Sequence, residues 1–586
     1  MFTEQSNVSD YETIEFDFGS GQTYFLLVSD RNISVYKQGV FQVNIPSDYL
    51  EADLEEIEYT QSSDTIVLFH ENYQTRKIVR GSQDDIWDQS LVVYEVIPKH
   101  AFTPVVEEPS ATLTPSAISG TIKLTASAAV FASSDVGGVI TGNGGEARII
   151  EFVSTTVLEA RVLINFIDTT AISASSWDIE RGYEDAWSDE RGWPRTGIFH
   201  QRRLAVGGST QLPNFLWLSR IGRFFNFDEG SGLDNEALNM PIDTDQVNTI
   251  KHLMSADRLE VFTSDAEFYV AGNPLTPENS SIRRQDKRGI SNVPPVFVDG
   301  ATMFVQNSAD IIREYVFDAI SEKYAANNIS LISEHLINSP VDIAHQRPYG
   351  NQDADLVFVV NSDGTWAVLN TLRQQELTGW VKGFSDYGNL EKVGYDGGKM
   401  YGVTAITVDG VDKKYLVSFD PDRRLDWSVV LSDVSLQTVW SGLDHLEGFE
   451  VHVIADGYIE EGTFTVTGGS ITINRPSYEV QIGIFYSPSV KPNPPERELP
   501  DGTMIGETRR ILKTSLELRN SLGVIVGGRK ISFRRFGQDI FDEPLEPFTG
   551  VKEIRHLGYN KEPQNEITQD EPLPFELLSL IQGVSA

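Results

Sequence analysis

The sequence predicts a mostly β protein: a β-propeller of six blades with an inserted β domain and a C-terminal β module. Three observations carry this. Strand–turn–strand units recur along the chain, their spacing is that of propeller blades, and two stretches of different texture interrupt or follow them. The first unit is Tyr24–Val28 and Asn32–Tyr36 about the polar turn Ser29-Asp30-Arg31. The second is Thr65–Phe69 with Arg76–Val79. Others follow at Arg203–Arg220, Leu259–Gly272, Ala301–Asp318, Asp355–Asn370 and Lys399–Asp420. Apart from one long gap, their starts lie 41 to 56 residues apart. A small sheet of that length cannot bury both faces alone, so such units pack side by side in a ring. A sandwich of ordinary antiparallel hairpins is the competing reading. Seven hairpins are visible, and assigning one to the edge of the insertion leaves six blades.

Taken in order, residues 1–103 hold the first blades. Within them Glu51–Glu58 is acidic and partly helical, with Leu50, Leu54 and Ile57 at helical spacing and the carboxylates on a solvated face. Residues 104–160 read as the inserted domain. They are rich in Ser, Thr, Ala, Gly and Pro, yet keep alternating runs at Thr121–Thr125 and Arg148–Val153. Gly142-Asn143-Gly144-Gly145 lacks the Lys-Ser/Thr ending of a phosphate loop and reads as a hairpin turn. Residues 161–433 return to blades. Residues 434–548 form a second β module, opened by the strand-and-turn unit His445–Gly457 and continued by strands at Gly462–Val466, Ser470–Asn474, Val480–Tyr486 and Leu512–Leu518. Residues 549–586 are an acidic, Pro-containing tail expected to be extended, with Phe575–Ile581 as a short docking helix.

The stretch Trp193–Asp228 organises this plan. Trp193-Pro194 marks the return from the insertion. Arg203-Leu204-Ala205-Val206 and Phe215-Leu216-Trp217-Leu218 flank a turn region containing Pro213, and Ser219 follows. Phe224, Phe225 and Phe227 are placed to pack the next seam between blades. The stretch reads as a packing unit without catalytic grammar.

The totals bound the function. The 586 residues are 40% hydrophobic and 10% aromatic, a composition that folds. Cysteine is absent, which excludes disulfides, thiol nucleophiles and zinc–thiolate centres. The start shows no basic and apolar leader, and no apolar run reaches the roughly 18 residues of a spanning helix. The formal net charge is −38, the opposite of the basic stripe a tight nucleic-acid binder carries. The basic clusters are Arg283-Arg284 with Lys287-Arg288, and Arg529-Lys530 with Arg534-Arg535; both are expected to pair with nearby carboxylates.

Candidate chemistry is thin. Ser362-Asp363-Gly364-Thr365-Trp366 has the flavour of a sialidase Asp-box but not its spacing, and reads as an Asp-Gly turn. Asp299-Gly300, Asp409-Gly410 and Asp456-Gly457 read the same way. His445 and His452 are seven apart, which does not bring them together as metal ligands. Asp243 and Asp245 flank Thr244 on an apparent strand and would share a face, more as a polar surface than as an acid–base pair. There is no Gly-x-Ser-x-Gly elbow. No catalytic residue, metal ligand or cofactor is therefore expected, and the chain is not read as an enzyme.

Several ordered blocks resemble the tail nozzle family of short-tailed bacteriophages (podoviruses), also called tail tubular protein B. They are Tyr59–Asp64, Trp193–Asp228, Asn248-Thr249-Ile250, Leu259–Ser264, Leu275-Thr276-Pro277, Arg313-Glu314-Tyr315, His335-Leu336, and His445–Gly457 with Leu446, Gly448 and Asp456. The resemblance spans about 24 to 530. It implies a virion structural protein, made in the host cytoplasm and assembled as a homohexameric ring at the distal end of the tail tube. Its partners would be a tail adaptor protein above, tail fibres or other tail proteins at the side, and phage double-stranded DNA passing without sequence-specific binding during genome ejection. An acidic wall would avoid the phosphate contacts that hold DNA. Family members begin with a longer segment before the first hairpin, so a separate small protein could complete the first blade. A propeller glycan hydrolase or depolymerase, or a glycan-binding adhesion protein, is the alternative.

Overall fold

A computed structural model describes residues 11–19, 21–244, 248–318, 320, 323–348, 354–496, 508–534 and 546–585, with the backbone of Thr3–Gln5, Glu498–Leu499 and Gly502–Thr503. Two bodies are distinguished, one of residues 7–404 and one of Met1–Ser6 with Ala405–Ala586.

The first body is a propeller. Six four-stranded antiparallel sheets follow one another, each in plain sequence order. The first holds Glu12–Gly19, Gln22–Ser29, Asn32–Lys37 and Val40–Pro46, all from this chain. The second runs from Glu58 to Leu91, the third from Thr196 to Pro241, the fourth from Ile250 to Asp286, the fifth from Val296 to Asn328 and the sixth from Pro340 to Gly383. Gly388–Asp396 then begins a seventh sheet, lying against the first strands of both the sixth and the first blade. Lys399–Val408 and Val411–Phe419 continue that sheet, and Thr3–Gln5 pairs with Val411–Phe419, Thr3 opposite Leu416.

The blade count is therefore seven rather than six. Each of the seven hairpins read from the sequence forms the two middle strands of one blade, and none belongs to the insertion. The middle strands carry the apolar signal because both their faces are covered: Gln22–Ser29 is buried at six consecutive positions, and Arg203–Gly207 and Ala301–Val305 throughout. Seams between blades need close approach as well as apolar bulk. Gly197, on the first strand of the third blade, lies where an added Cβ would come 2.4 Å from the Phe69 ring of the second. Gly394 repeats the device, 2.3 Å from Phe25 where the ring closes.

The insertion is wider than 104–160. Its seven-stranded sheet runs in the order Lys99–Glu107, Trp177–Asp185, Val139–Gly142, Gly145–Ser154, Val157–Ile164, Thr121–Ala126 and Leu113–Pro115. The Ser/Thr/Gly texture marks its loops, whereas the closing strand Trp177–Asp185 is polar and pairs between two others. Alternation builds its one-sided core: Ile122, Leu124 and Ala126 point in while Thr121, Lys123 and Thr125 point out. Gly182 has φ +90° and would place a Cβ 1.9 Å from the Thr103 carbonyl oxygen, so the register break between Ala101 and Val105 depends on it.

In the second body, Asp426–Ser441, Ser470–Ile484 and Glu450–Ala455 form a twisted sheet with the short strands Tyr458–Ile459 and Phe464–Thr465. Val451, Val453, Ile471, Ile473, Val480 and Ile482 fill its core. The residues read as an extended tail are part of the fold. Phe548–Arg555 and Leu577–Ser585 flank Arg510–Ser521 as a three-stranded sheet, and Ile567–Gln569 joins Val524–Val526. The docking helix over Phe575–Ile581 is a strand instead. Leu577, Leu580 and Phe575 lie on the cluster of Leu516, Leu518 and Val524, and pairing to Arg510–Ser521 overrides the short apolar run's helical pattern.

Candidate functional site

The third blade and the root of the insertion meet in one aromatic cluster. Trp187 and Trp217 are fully buried and cross edge to face at 5.2 Å, and Phe227 meets Trp187 the same way at 4.9 Å. Trp193 stacks on Tyr94 and donates its indole N–H to Asp189 at 3.0 Å. Its backbone N–H reaches the Glu71 carbonyl at 2.8 Å, while Pro194 carries the chain on into the blade. Val67 and Phe69 of the second blade complete the cluster with Leu204 and Val206 of the third. Phe224 and Phe225 are half-buried, Phe224 against Phe199 and Phe225 against Tyr94. This is the seam with the preceding blade, not the next one. The Pro213 carbonyl faces forward instead, accepting the Ile250 N–H of the fourth blade at 2.9 Å.

The end of the stretch moors the insertion. Arg161 donates two bonds to Asp228, at 2.9 and 3.2 Å, and Arg148 donates to Glu229 at 2.8 Å. Arg220 reaches the same Asp228 at 3.3 Å. The two arginines alternate with apolar inward residues on neighbouring strands of the inserted sheet, which puts both on the face turned to the blade.

Arg203 is the most buried cation here. Its guanidinium donates to the carbonyls of Ser219 and Glu236 at 2.6 Å, Asp234 at 2.7 Å and Leu275 at 3.3 Å. Burial pushes its pKa down to about 10, and four carbonyl dipoles take the place of a carboxylate partner. The Ser219 hydroxyl accepts the Leu204 N–H at 2.8 Å, so Arg203, Leu204 and Ser219 form one knot.

In the second body the His445 block is also architectural. His445 is buried with Nε2 3.1 Å from the Trp427 carbonyl, and Leu446 is fully buried. Gly448 has φ +81° and donates its N–H to Val466. Asp456 and Gly457 both have positive φ in the two-residue turn between paired Ala455 and Tyr458. The Asp456 carboxylate accepts the Glu479 N–H at 3.0 Å. Asn143-Gly144, Asp299-Gly300 and Asp409-Gly410 also have positive φ at both residues, as their hairpin reading expects. Asp363 accepts the Thr365 N–H and hydroxyl, at 3.0 and 2.6 Å, in a turn built from its own neighbours. His445 and His452 serve separate contacts, the latter beside Phe485. Asp243 follows the strand Leu238–Pro241 rather than lying on it, and Asp245 lies outside the described residues.

Sequence reading missed a belt of charge on the innermost strands. Glu58 of the second blade lies 2.7 Å from His252 Nδ1 of the fourth, with the Thr196 hydroxyl of the third donating to it at 3.3 Å. His252 Nε2 lies 3.2 Å from the Ser291 carbonyl, so both ring nitrogens meet oxygen atoms. At the ring closure Lys392 donates to Glu12 at 2.7 Å, and Asp342 accepts the Val393 N–H at 2.7 Å. Burial raises Asp342, and it pushes Glu15 up to about 7 while the Tyr395 N–H opposes the shift. Burial pulls Lys392 down, yet Glu12 and Asp342 outweigh it and leave its pKa raised. Their sequence signal is slight: isolated charges on short strands otherwise read as ordinary blade.

Among the described residues no group of three or more His, Asp or Glu is arranged to hold a metal ion. A cleft of about 860 Å³ lies beside the mooring, lined by Arg148, Glu229, Asn239, Ser280, Phe268 and Arg284. The two basic clusters meet carboxylates only in part. Lys530 pairs with Asp570 at 3.1 Å and Glu571 at 3.3 Å, whereas Arg529 donates to the Arg555 carbonyl at 3.2 Å, Arg534 has no ion pair among the described residues and Arg535 lies outside them. Arg288 pairs with Asp286 at 3.3 Å, but Arg283, Arg284 and Lys287 have no ion pair among the described residues, contrary to expectation.

No family model matches the chain, and no curated protein matches it. Solved structures do. The β-propeller domain of Cps50 (Swd1) from Myceliophteria thermophila is 7% identical with a TM-score of 0.32, covering 70% of this chain and 100% of that one. A chain of the crystal structure of BBS1N in complex with ARL6DN is 9% identical with a TM-score of 0.34, covering 71% and 95%. The phage phi92 endosialidase is 9% identical with a TM-score of 0.24, covering 72% and 69%. Such likenesses concern the fold alone. The protein is a β-propeller with an inserted sheet, in the class its own strand pairing defines.

Proposed function

We propose that this propeller is a structural component of a short phage tail, the nozzle ring through which the genome leaves. The observation that carries the reading is the role of Trp193–Asp228. This block, one of those that carry the family resemblance, is spent on holding three parts together: the second blade, the third blade and the insertion. Within it Arg203 faces carbonyls, Asp228 faces arginines and Trp193 donates to Asp189, contacts internal to the fold such as a load-transmitting part requires. Six copies of a chain of net charge −38 would surround DNA with like charge, so phosphates would find few cations to displace their counterions. In this reading the ring sits below an adaptor protein, adjoins tail fibres, and needs no cofactor. A glycan hydrolase or adhesion role predicts a different outcome from the same preparation. The test pairs negative-stain imaging of the purified protein with cleavage and binding assays on host-type surface glycans. Rings without glycan turnover support the proposal. Turnover or saturable glycan binding by a monomer overturns it.

A further inference from the structure

The outer strand of the fourth blade, Ser281–Asp286, breaks the charge pattern of the protein. In a chain of net charge −38, Arg283, Arg284, Lys287 and Arg288 stand within six residues and all are exposed. Asp286 answers Arg288, at 3.3 Å; the other three cations have no ion pair among the described residues. The strand is the last of its sheet, so one of its edges pairs with no strand among the described residues, although Gln285 accepts the Tyr324 N–H of the fifth blade at 3.0 Å and donates to the Arg284 carbonyl at 2.9 Å. Arg283 lies opposite Tyr269 and Arg284 opposite Phe268, which puts the two guanidinium groups on opposite faces of the edge. Arg284 stands over the cleft of about 860 Å³ beside the inserted sheet, where Asn239 and Ser280 supply further polar lining.

We infer that this edge is a docking site for an extended acidic segment of a partner protein, seated as a fifth strand. An open strand edge supplies main-chain donors and acceptors that a peptide backbone matches and a nucleic acid does not. Consecutive acidic residues on an added strand point to opposite faces, and cations stand on both faces to meet them. The overall field argues for a short peptide over a polyanion. Charges beyond about 8 Å are screened at physiological ionic strength, so a short segment feels the local cations. A duplex would extend past them onto carboxylate-rich surface, without the stripe of phosphate contacts that duplex binding uses. Unpaired cations at an edge also discourage pairing between the edges of two identical strands, which favours an acidic partner strand over a second copy of the same edge.

The test uses the full chain and three probes at fixed ionic strength. The first is a fluorescein-labelled twelve-residue peptide of alternating Glu-Asp and Val-Thr pairs. The second is a labelled oligonucleotide duplex of matching length, and the third is sedimentation of the chain alone. Arg283→Glu/Arg284→Glu/Lys287→Glu is compared with wild type, with Arg283→Gln/Arg284→Gln/Lys287→Gln as a milder second variant. Both change exposed side chains, and unchanged melting shows that they remain folded. Saturable peptide binding that weakens at least tenfold in the charge-reversed protein, and less in the Gln variant, is the expected result. A proline-substituted peptide of the same charge should bind more weakly, since it cannot pair along the edge. Absence of saturable peptide binding overturns the inference. So do equal binding by wild type and charge-reversed proteins, tighter binding of the duplex, or an effect of the substitutions confined to self-association.

Discussion

Replacing Arg203 with Met should loosen the third blade from within. The side chain keeps its length and apolar stem but loses every donor. Three carbonyls held at 2.6 to 2.7 Å, those of Ser219, Glu236 and Asp234, would then face an apolar group. A buried polar group left without a partner costs about 1–3 kcal/mol. Three of them set a gross loss of roughly 3–9 kcal/mol, lessened because the cost of burying the cation, which pulls the Arg203 pKa down to about 10, is also gone. A net loss of about 2–5 kcal/mol is expected. Arg203→Lys should fall between, since a point ammonium has three donors where the guanidinium has five in a planar fork. Because the chain has two bodies, global melting is a blunt readout. Native-state hydrogen exchange over Leu204–Ala237 reads the local opening free energy instead. If Arg203→Met exchanges there as slowly as wild type, the carbonyls are satisfied by other means and the proposed knot is wrong.

Other consequences follow from the seams. Trp217→Ala should cost about 3–5 kcal/mol by emptying the Trp187 contact, and Phe225→Ala about 1–3 kcal/mol because its ring is half-buried. Urea melts of both check the order, which equal losses would contradict. Gly394→Ala should cost about 1–3 kcal/mol by pushing a methyl toward the Phe25 ring, an effect that Phe25→Leu in the same chain should partly relieve. Glu15 has a folded pKa of about 7 against an ordinary 4.5, so the folded form holds its proton more tightly. Its penalty is absent below about pH 4.5, grows as pH rises to about 7 and is complete above, so stability should fall across that window. Glu15→Gln should show a shallower fall in melting temperature over the same window; an unchanged slope would place the titration elsewhere.

Repeating hairpins were legible because the middle strands of each blade are buried on both sides, and their apolar runs at Tyr24–Val28, Thr65–Phe69 and Asp355–Asn361 announce it. The outer strands were harder to see. Ser281–Asp286 and Lys323–Asn328 are only partly covered and carry no apolar run, and only pairing defines them. The insertion's far boundary was hidden for the same reason, since Trp177–Asp185 alternates apolar and polar only at its start. Strand Leu577–Ser585 was misread because a short apolar run has no decisive period, and its partner Arg510–Ser521 lies more than fifty residues away in sequence. Trp193–Asp228 was recognisable as a packing unit from its aromatics, but which seam it fills depended on Tyr94 and Phe69, and the ion pairs to Arg148 and Arg161 depended on the placing of a whole inserted sheet. The belt of Glu58, His252, Glu12 and Lys392 joins residues up to 380 positions apart, a relation that no local pattern carries.

The assembly state of the purified chain tests the central proposal most directly. Native mass spectrometry across a concentration series, with imaging of each species, should give a closed ring of six copies that neither cleaves nor binds glycan. A chain that stays monomeric at every concentration while turning over or binding glycan would contradict the nozzle reading.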